Sequence, residues 1–250
     1  MLETKKVLGI SFVHSNMNQL TDELHERIKD SKKTFVVTAN PEILKLAGSQ
    51  PSYKKTIQSA DYVIPDGIGV IVASKLVGSP LHERLAGFDL MTQLLSLAND
   101  HSYRVFFLGA KPEVIEDAVH NIKKKYPHID IAGYHHGYID ENDQSIVDEI
   151  QKKEVDLVFV GLGFPKQEEW IANHLSLFKK GIFIGVGGSF DVWANRVKRA
   201  PKVWQALNIE WLYRLLKQPS RWKRILNVFQ FIFDVFFMKL TGQLKNKQKV

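Results

Sequence analysis

Leu157-Val158-Phe159-Val160-Gly161-Leu162-Gly163-Phe164-Pro165-Lys166-Gln167-Glu168-Glu169-Trp170 reads as a strand, a glycine turn and the start of a helix. The four apolar residues at its head show no polar alternation. A strand of that kind is covered on both faces, as in a parallel sheet held between layers of helices. Pro165 then opens a helix, where its missing N–H costs nothing. Phe35-Val36-Val37 and Val105-Phe106-Phe107-Leu108 repeat the apolar run, and Pro41 and Pro112 repeat the turn.

Working outward, strands are expected at 7–12, 34–38, 62–64, 104–108, 129–132, 156–160 and 182–186. Helices are expected at 17–30, 88–98, 112–126, 144–153 and 165–178. The pattern predicts an α/β fold, a Rossmann-like, mostly parallel sheet flanked by helices. The 250 residues are 44% hydrophobic and 24% charged, enough for a sizeable core. There is no cysteine, which excludes disulfides and thiolate chemistry. The apolar run ending at Val13 is too short for a signal peptide, and nothing elsewhere approaches the ~18 to 20 apolar residues of a membrane span. The expected location is therefore cytoplasmic.

Charge divides the chain. From residue 196 onward thirteen Lys and Arg face only Glu210 and Asp234, a net +11 that leaves −4 for residues 1–195 against the whole-chain +7. Two parts follow: an α/β catalytic core over 1–195 and a basic amphipathic helical appendage over 196–250. Such asymmetry points to an anionic partner for the appendage.

In a sheet of this class ligands lie at the carboxyl ends of the strands. The candidates there are Thr38 and Asn40, Asp66, Gly109, Tyr138, Gly163 with Lys166 and Gln167, and Gly188 with Asp191. Glycine at several strand-to-helix turns lets a phosphate approach the backbone, and helix N-termini attract it. Asn40 is equally a natural helix cap, and Asp66-Gly67 a favoured turn pair. Other chemistries are missing. The G-x-G-x-x-G fingerprint fails at Gly161 and at Gly185 for want of its third glycine, and there is no phosphate-binding G-x-x-x-x-G-K-[ST] loop, no H-E-x-x-H and no D-x-D. Adjacent His135 and His136 on a strand point to opposite faces and read as structural rather than as metal ligands.

Four segments, in order, carry a resemblance. They are Val37-Thr38-Ala39-Asn40-Pro41-Glu42-Ile43; Ile64-Pro65-Asp66-Gly67-Ile68-Gly69-Val70; the run from Gly161 to Trp170; and Gly185-Val186-Gly187-Gly188-Ser189-Phe190-Asp191 followed by Lys198-Arg199-Ala200-Pro201. Together with Glu210-Trp211-Leu212-Tyr213-Arg214 they closely resemble the WecG/TagA/CpsF family of bacterial glycosyltransferases, over nearly the whole chain. Asn195 stands where that family suggests a glycine, and Ala86 where it suggests a proline.

The resemblance implies inverting transfer of a sugar from a UDP-sugar donor to an undecaprenyl-diphosphate-linked acceptor; the missing D-x-D predicts that no metal or other cofactor is needed. The wall teichoic acid branch, with N-acetylmannosamine as donor sugar, fits best. A sibling activity on a mannosaminuronic acid or another UDP-sugar, and a non-catalytic nucleotide-sugar binder, remain alternatives; a nicotinamide oxidoreductase is disfavoured by the failed fingerprint. By the same resemblance Asp66 is the general base. Arg84 would meet diphosphate, since without a metal something cationic must offset that charge. Thr38, Asn40, Lys166, Gln167 and Asp191 would contact donor or acceptor, while Trp170 belongs to the core.

In the appendage Arg214, Lys217, Arg221 and Arg224 are spaced 3, 4 and 3 and form one stripe on a continuous helix. Asn227, Gln230 and Asp234 extend it beside a broad apolar face. A helix of this kind lies on an anionic membrane surface, or packs on its own core or on a second copy in a homo-oligomer. A nucleic-acid partner is not expected, because the Phe-rich stretch suits no groove.

Overall fold

The computed structural model describes residues 2–140 and 144–242. Lys245, Lys247 and Lys249 lie outside them, as does the side chain of Arg221. The chain opens with an antiparallel hairpin, β1 (Thr4–Val7) and β2 (Ile10–Val13). The single strand expected at 7–12 is thus two. Leu8 and Gly9 both take positive φ, 53° and 79°, and reverse the chain where the apolar run hid the turn.

Six parallel strands form the main sheet: β3 (Thr34–Ala39), β4 (Tyr62–Pro65), β5 (Arg104–Gly109), β6 (Asp130–His135), β7 (Leu157–Gly161) and β8 (Ile182–Gly185). Their order across the sheet is β4-β3-β8-β7-β5-β6. The expected α/β architecture is present. On β7, Val158 and Val160 join the core of one face and Leu157 and Phe159 that of the other, all fully buried. That double burial is why the strand carries no polar alternation.

One face is covered by α1 (Met17–Lys29), α5 (Gly87–His101), α6 (Pro112–Lys125) and α9 (Ser189–Trp193). The other is covered by α2 (Pro41–Ser49), α3 (Pro51–Gln58), α4 (Ile68–Leu76), α7 (Gln144–Lys152) and α8 (Lys166–His174). The expected helix at 165–178 ends at His174 and continues as a short 3₁₀ turn, Leu175–Leu177.

The chain then forms α10 (Lys202–Ala206), α11 (Glu210–Lys217) and α12 (Trp222–Leu240). The continuous basic stripe does not survive. Helix α11 stops at Lys217, and a 3₁₀ turn over Pro219–Arg221 separates it from α12, because Pro219 lacks the N–H a continuing helix requires. Arg214 and Lys217 therefore stand on one helix and Arg224 on another.

Helix α12 packs against α4 and α2 through Phe231 and Val235, both buried. The approach is close. A Cβ on Gly69 would lie 2.6 Å from Pro41 and 3.2 Å from Val228. Lys45 Nζ donates to Gln230 Oε1 at 2.8 Å, and Arg224 Nε sits 4.0 Å from a Glu42 carboxylate oxygen. The opposite face of α12 is also apolar and meets solvent, with Trp222, Leu226, Phe229, Phe233, Phe237 and Leu240 exposed along it.

Candidate active site

The carboxyl ends of β4 and β3 bring Asp66 and Thr38 together. Asp66 N–H donates to Ala39 O at 2.8 Å, and Thr38 Oγ1 donates to Gly185 O at 2.7 Å, which ties β3 to the turn after β8. The Gly87 N–H, at the start of α5, lies near the Asp66 carboxylate and favours its charged form. A Cβ at Gly87 would fall 2.9 Å from Thr38 Cγ2 and 3.3 Å from Asp66 Oδ2, so this approach needs glycine. Burial raises the Asp66 pKa above the usual carboxylate value; Arg84, the Gly87 N–H and Arg214 pull the other way, and Glu210 adds to the rise.

Three arginines surround this carboxylate. Arg84 and Arg214 both donate to Glu210, at 3.3 Å for Arg84 and at 3.1 and 2.5 Å for Arg214. Glu210 is buried, which would push its pKa up, but Arg214, Arg84 and Arg199 hold it below the usual range. Arg199 grips Asp89 through both terminal nitrogens, at 2.5 and 2.6 Å, and lies 4.8 Å over the Phe88 ring. In the sequence Glu210 and Arg199 are marked only as members of the family-like segments. Their pairings across 126 and 110 residues leave no local periodic signal.

Further along the edge, beyond β8, a cleft of about 650 Å³ opens over β7, β5 and β6. Tyr138, Asp191, Gly161 and Ala110 line it, with Lys111 and Arg196. Such a volume is within the usual range for a small-molecule site. Gly109 makes the cleft possible. Its φ is 137°, and a Cβ there would lie 2.4 Å from the Gly161 carbonyl. Tyr138 and Asp191, separately expected, meet in this cleft. Gly163 takes φ 78° in the turn before α8, Lys166 is exposed at the start of that helix, and Gly188 caps α9.

Two candidates point elsewhere. Asn40 Oδ1 accepts from the N–H groups of Glu42 and Ile43, at 2.9 and 3.1 Å, as a helix cap does. Gln167 turns inward, its Oε1 accepting from Gly187 N–H at 3.0 Å and its Nε2 donating to Glu168 Oε1 at 2.6 Å. Trp170 is in the core, as expected. Among the described residues no three His, Cys, Asp or Glu side chains converge as metal ligands. His135 Nδ1 sits 2.8 Å from the His136 carbonyl instead.

The two family departures are both accommodated. Asn195 has φ 58°, a left-handed conformation that asparagine tolerates better than most residues, and Ala86 at φ −72°, ψ 128° holds a proline-like backbone.

Residues 5–245 match the model of the glycosyl transferase WecG/TagA/CpsF family. The chain belongs to that family. Its curated relatives include the N-acetylglucosaminyldiphosphoundecaprenol N-acetyl-beta-D-mannosaminyltransferase of Bacillus spizizenii, 40% identical over 99% of both chains. Proteins of the same name from Bacillus subtilis (40%, over 94% of this chain and 91% of the relative) and Staphylococcus aureus strain MW2 (42%, over 88% and 85%) are also similar. The glycosyl transferase thus presents a half-buried carboxylate of raised pKa, three arginines and a separate polar cleft along one sheet edge.

Proposed function

We propose that this glycosyl transferase moves N-acetylmannosamine from UDP-N-acetylmannosamine onto undecaprenyl-diphosphate-linked N-acetylglucosamine, inverting the anomeric centre to give a β-1,4 linkage in the wall teichoic acid linkage unit. What carries this reading is identity of 40% over 99% of both chains to a relative whose name gives this acceptor and this transferred sugar. The site suits the chemistry. Asp66 would take the proton of the acceptor hydroxyl as it attacks the anomeric carbon, and desolvation makes that carboxylate a stronger base than a solvated one. Arg84 and Arg214 would offset the charge of a diphosphate, a task often given to a metal ion. The nucleotide would occupy the cleft between Tyr138 and Asp191, which runs from three to five strand spacings, or ~14 to ~24 Å, from the base.

We also propose that the exposed apolar face of α12 rests on the anionic cytoplasmic surface of the membrane, where the acceptor is. No helix among the described residues is long and apolar enough to cross a membrane. The supporting observation is that α12 has two apolar faces and its own core covers only one.

The test is incubation with UDP-N-acetylmannosamine and a short-chain lipid-diphosphate N-acetylglucosamine, reading UDP release and the disaccharide lipid. Turnover is expected to persist in EDTA. Asp66→Asn should fold and lose about 10²- to 10⁴-fold in rate. Absence of disaccharide from the parent would refute the transfer, and near-parental turnover by the variant would remove Asp66 from the role of base.

A further inference from the structure

Beneath the turn that follows β8 lies a polar group that no step above uses. Glu168 is 0% exposed. One carboxylate oxygen accepts from Gln167 Nε2 at 2.6 Å, the other from the Tyr53 hydroxyl at 3.2 Å. Burying a carboxylate among core residues is costly, so its retention calls for an account. Its effect on Gln167 supplies one. An amide side chain can present either its oxygen or its NH₂ to a neighbour. Glu168 can only accept while ionised, so it draws the Gln167 NH₂ toward itself and leaves Oε1 facing the Gly187 N–H, 3.0 Å away.

The surrounding backbone is built for this arrangement. A Cβ at Gly185 would fall 2.6 Å from Gln167 Nε2, so the amide passes directly beneath the turn. Gly187 takes φ 51°, and its carbonyl oxygen lies 3.0 Å from where a Cβ on Gly161 would stand. Gly161 lines the cleft, and so does Asp191, four residues beyond Gly187 on α9. The turn is thus held by Thr38 at Gly185 O on one side and by Gln167 at Gly187 N on the other.

We propose that Glu168 is a positioning residue which, by orienting the Gln167 amide, holds the Gly185–Gly188 turn in the shape the nucleotide cleft requires. Tyr53 completes the device by fixing the second carboxylate oxygen. The proposal rests on the reading of that cleft as the nucleotide site.

The experiment compares Glu168→Leu, Glu168→Gln and Tyr53→Phe with the parent, measuring UDP affinity by calorimetry, the KM for each substrate, and amide exchange at Gly187 by NMR. Leucine removes the acceptor; glutamine keeps a carbonyl for Gln167 and offers its NH₂ to the tyrosine oxygen. Glu168→Leu should weaken UDP binding roughly tenfold, the scale of one buried hydrogen bond, with faster exchange at Gly187 and an unchanged acceptor KM. Glu168→Gln should restore affinity to within about twofold, and Tyr53→Phe should fall between. If Glu168→Leu does not fold, the Tyr53→Phe and Glu168→Gln pair decides: equal loss of UDP affinity and of acceptor KM in Tyr53→Phe, or no rescue by glutamine, overturns the proposal. Unchanged UDP affinity in a folded Glu168→Leu, or a parent that does not bind UDP, also overturns it. A parent that binds UDP but forms no disaccharide lipid refutes only the sugar transfer, and the calorimetry still decides the role of Glu168.

Discussion

Two carboxylates show how burial sets chemistry at the level of single residues. Asp66 has a raised pKa, so kcat/KM should fall as pH drops through a value above the ordinary aspartate range. Glu210 contributes to that rise and also engages Arg84 and Arg214. Glu210→Gln should therefore move the acid limb of the pH–rate profile to lower pH; an unmoved or raised limb would show that Glu210 does not act on the base. Glu168 has the opposite use. Burial lifts its pKa from 4.5 to about 7, so between those values the folded protein binds more protons than the unfolded chain. Stability from this group is then highest at low pH and declines as pH rises to about 7. Glu168→Gln should consequently gain stability over the parent, by up to roughly 3 kcal/mol, at pH 8 but not at pH 4. Thermal melts at the two pH values test this. Asp66 was legible in the sequence because the end of a strand and a family motif coincide there. The arginine–glutamate pairing was not, since Arg84 and Glu210 meet only through the fold.

Among the elements, the strands with continuous apolar runs were legible, and α4 was not. Ile68-Gly69-Val70-Ile71-Val72-Ala73 lacks an amphipathic period because the sheet covers one side of α4 and α12 the other. A helix buried on both sides loses the signal by which helices are recognised. The basic stripe failed for a different reason. Spacing alone does not reveal that Gln218-Pro219 ends one helix before the next begins. Helix α12 carries the next prediction. Phe233 and Phe237 stack on each other and face solvent, so replacing both with Ser should barely alter the melting temperature. Vesicle binding should weaken by at least about tenfold, because each ring removes its apolar area from lipid. Phe231→Ala, on the inner face, should instead cost about 3 to 5 kcal/mol of stability. Equal vesicle binding by the double serine variant would leave α12 as a packing element alone.

At the scale of the whole molecule, the segment after residue 196 is less separable than its charge suggested. Phe231 and Val235 belong to a core shared with β3 and α4, and Glu210 reaches Arg84 in the catalytic edge. Truncation after Arg196 should therefore lower the melting temperature and abolish transfer to a lipid-linked acceptor, while UDP binding, seated over β5, β6 and β7, survives below the lowered transition. Full-rate turnover by the truncated chain would separate the appendage from the reaction. The sheet also sets a direction. Asp66 leads directly into α4, the helix on which α12 packs, whereas Tyr138 follows β6 at the opposite edge. If α12 seats the molecule on the bilayer as proposed, nucleotide would arrive from the aqueous side and acceptor from the lipid side, and the protein need not detach between catalytic events. Its progress curves should then scoot rather than hop. With fewer protein molecules than liposomes, product should plateau once the occupied liposomes are exhausted, and the height of that plateau should count the liposomes visited rather than the substrate supplied.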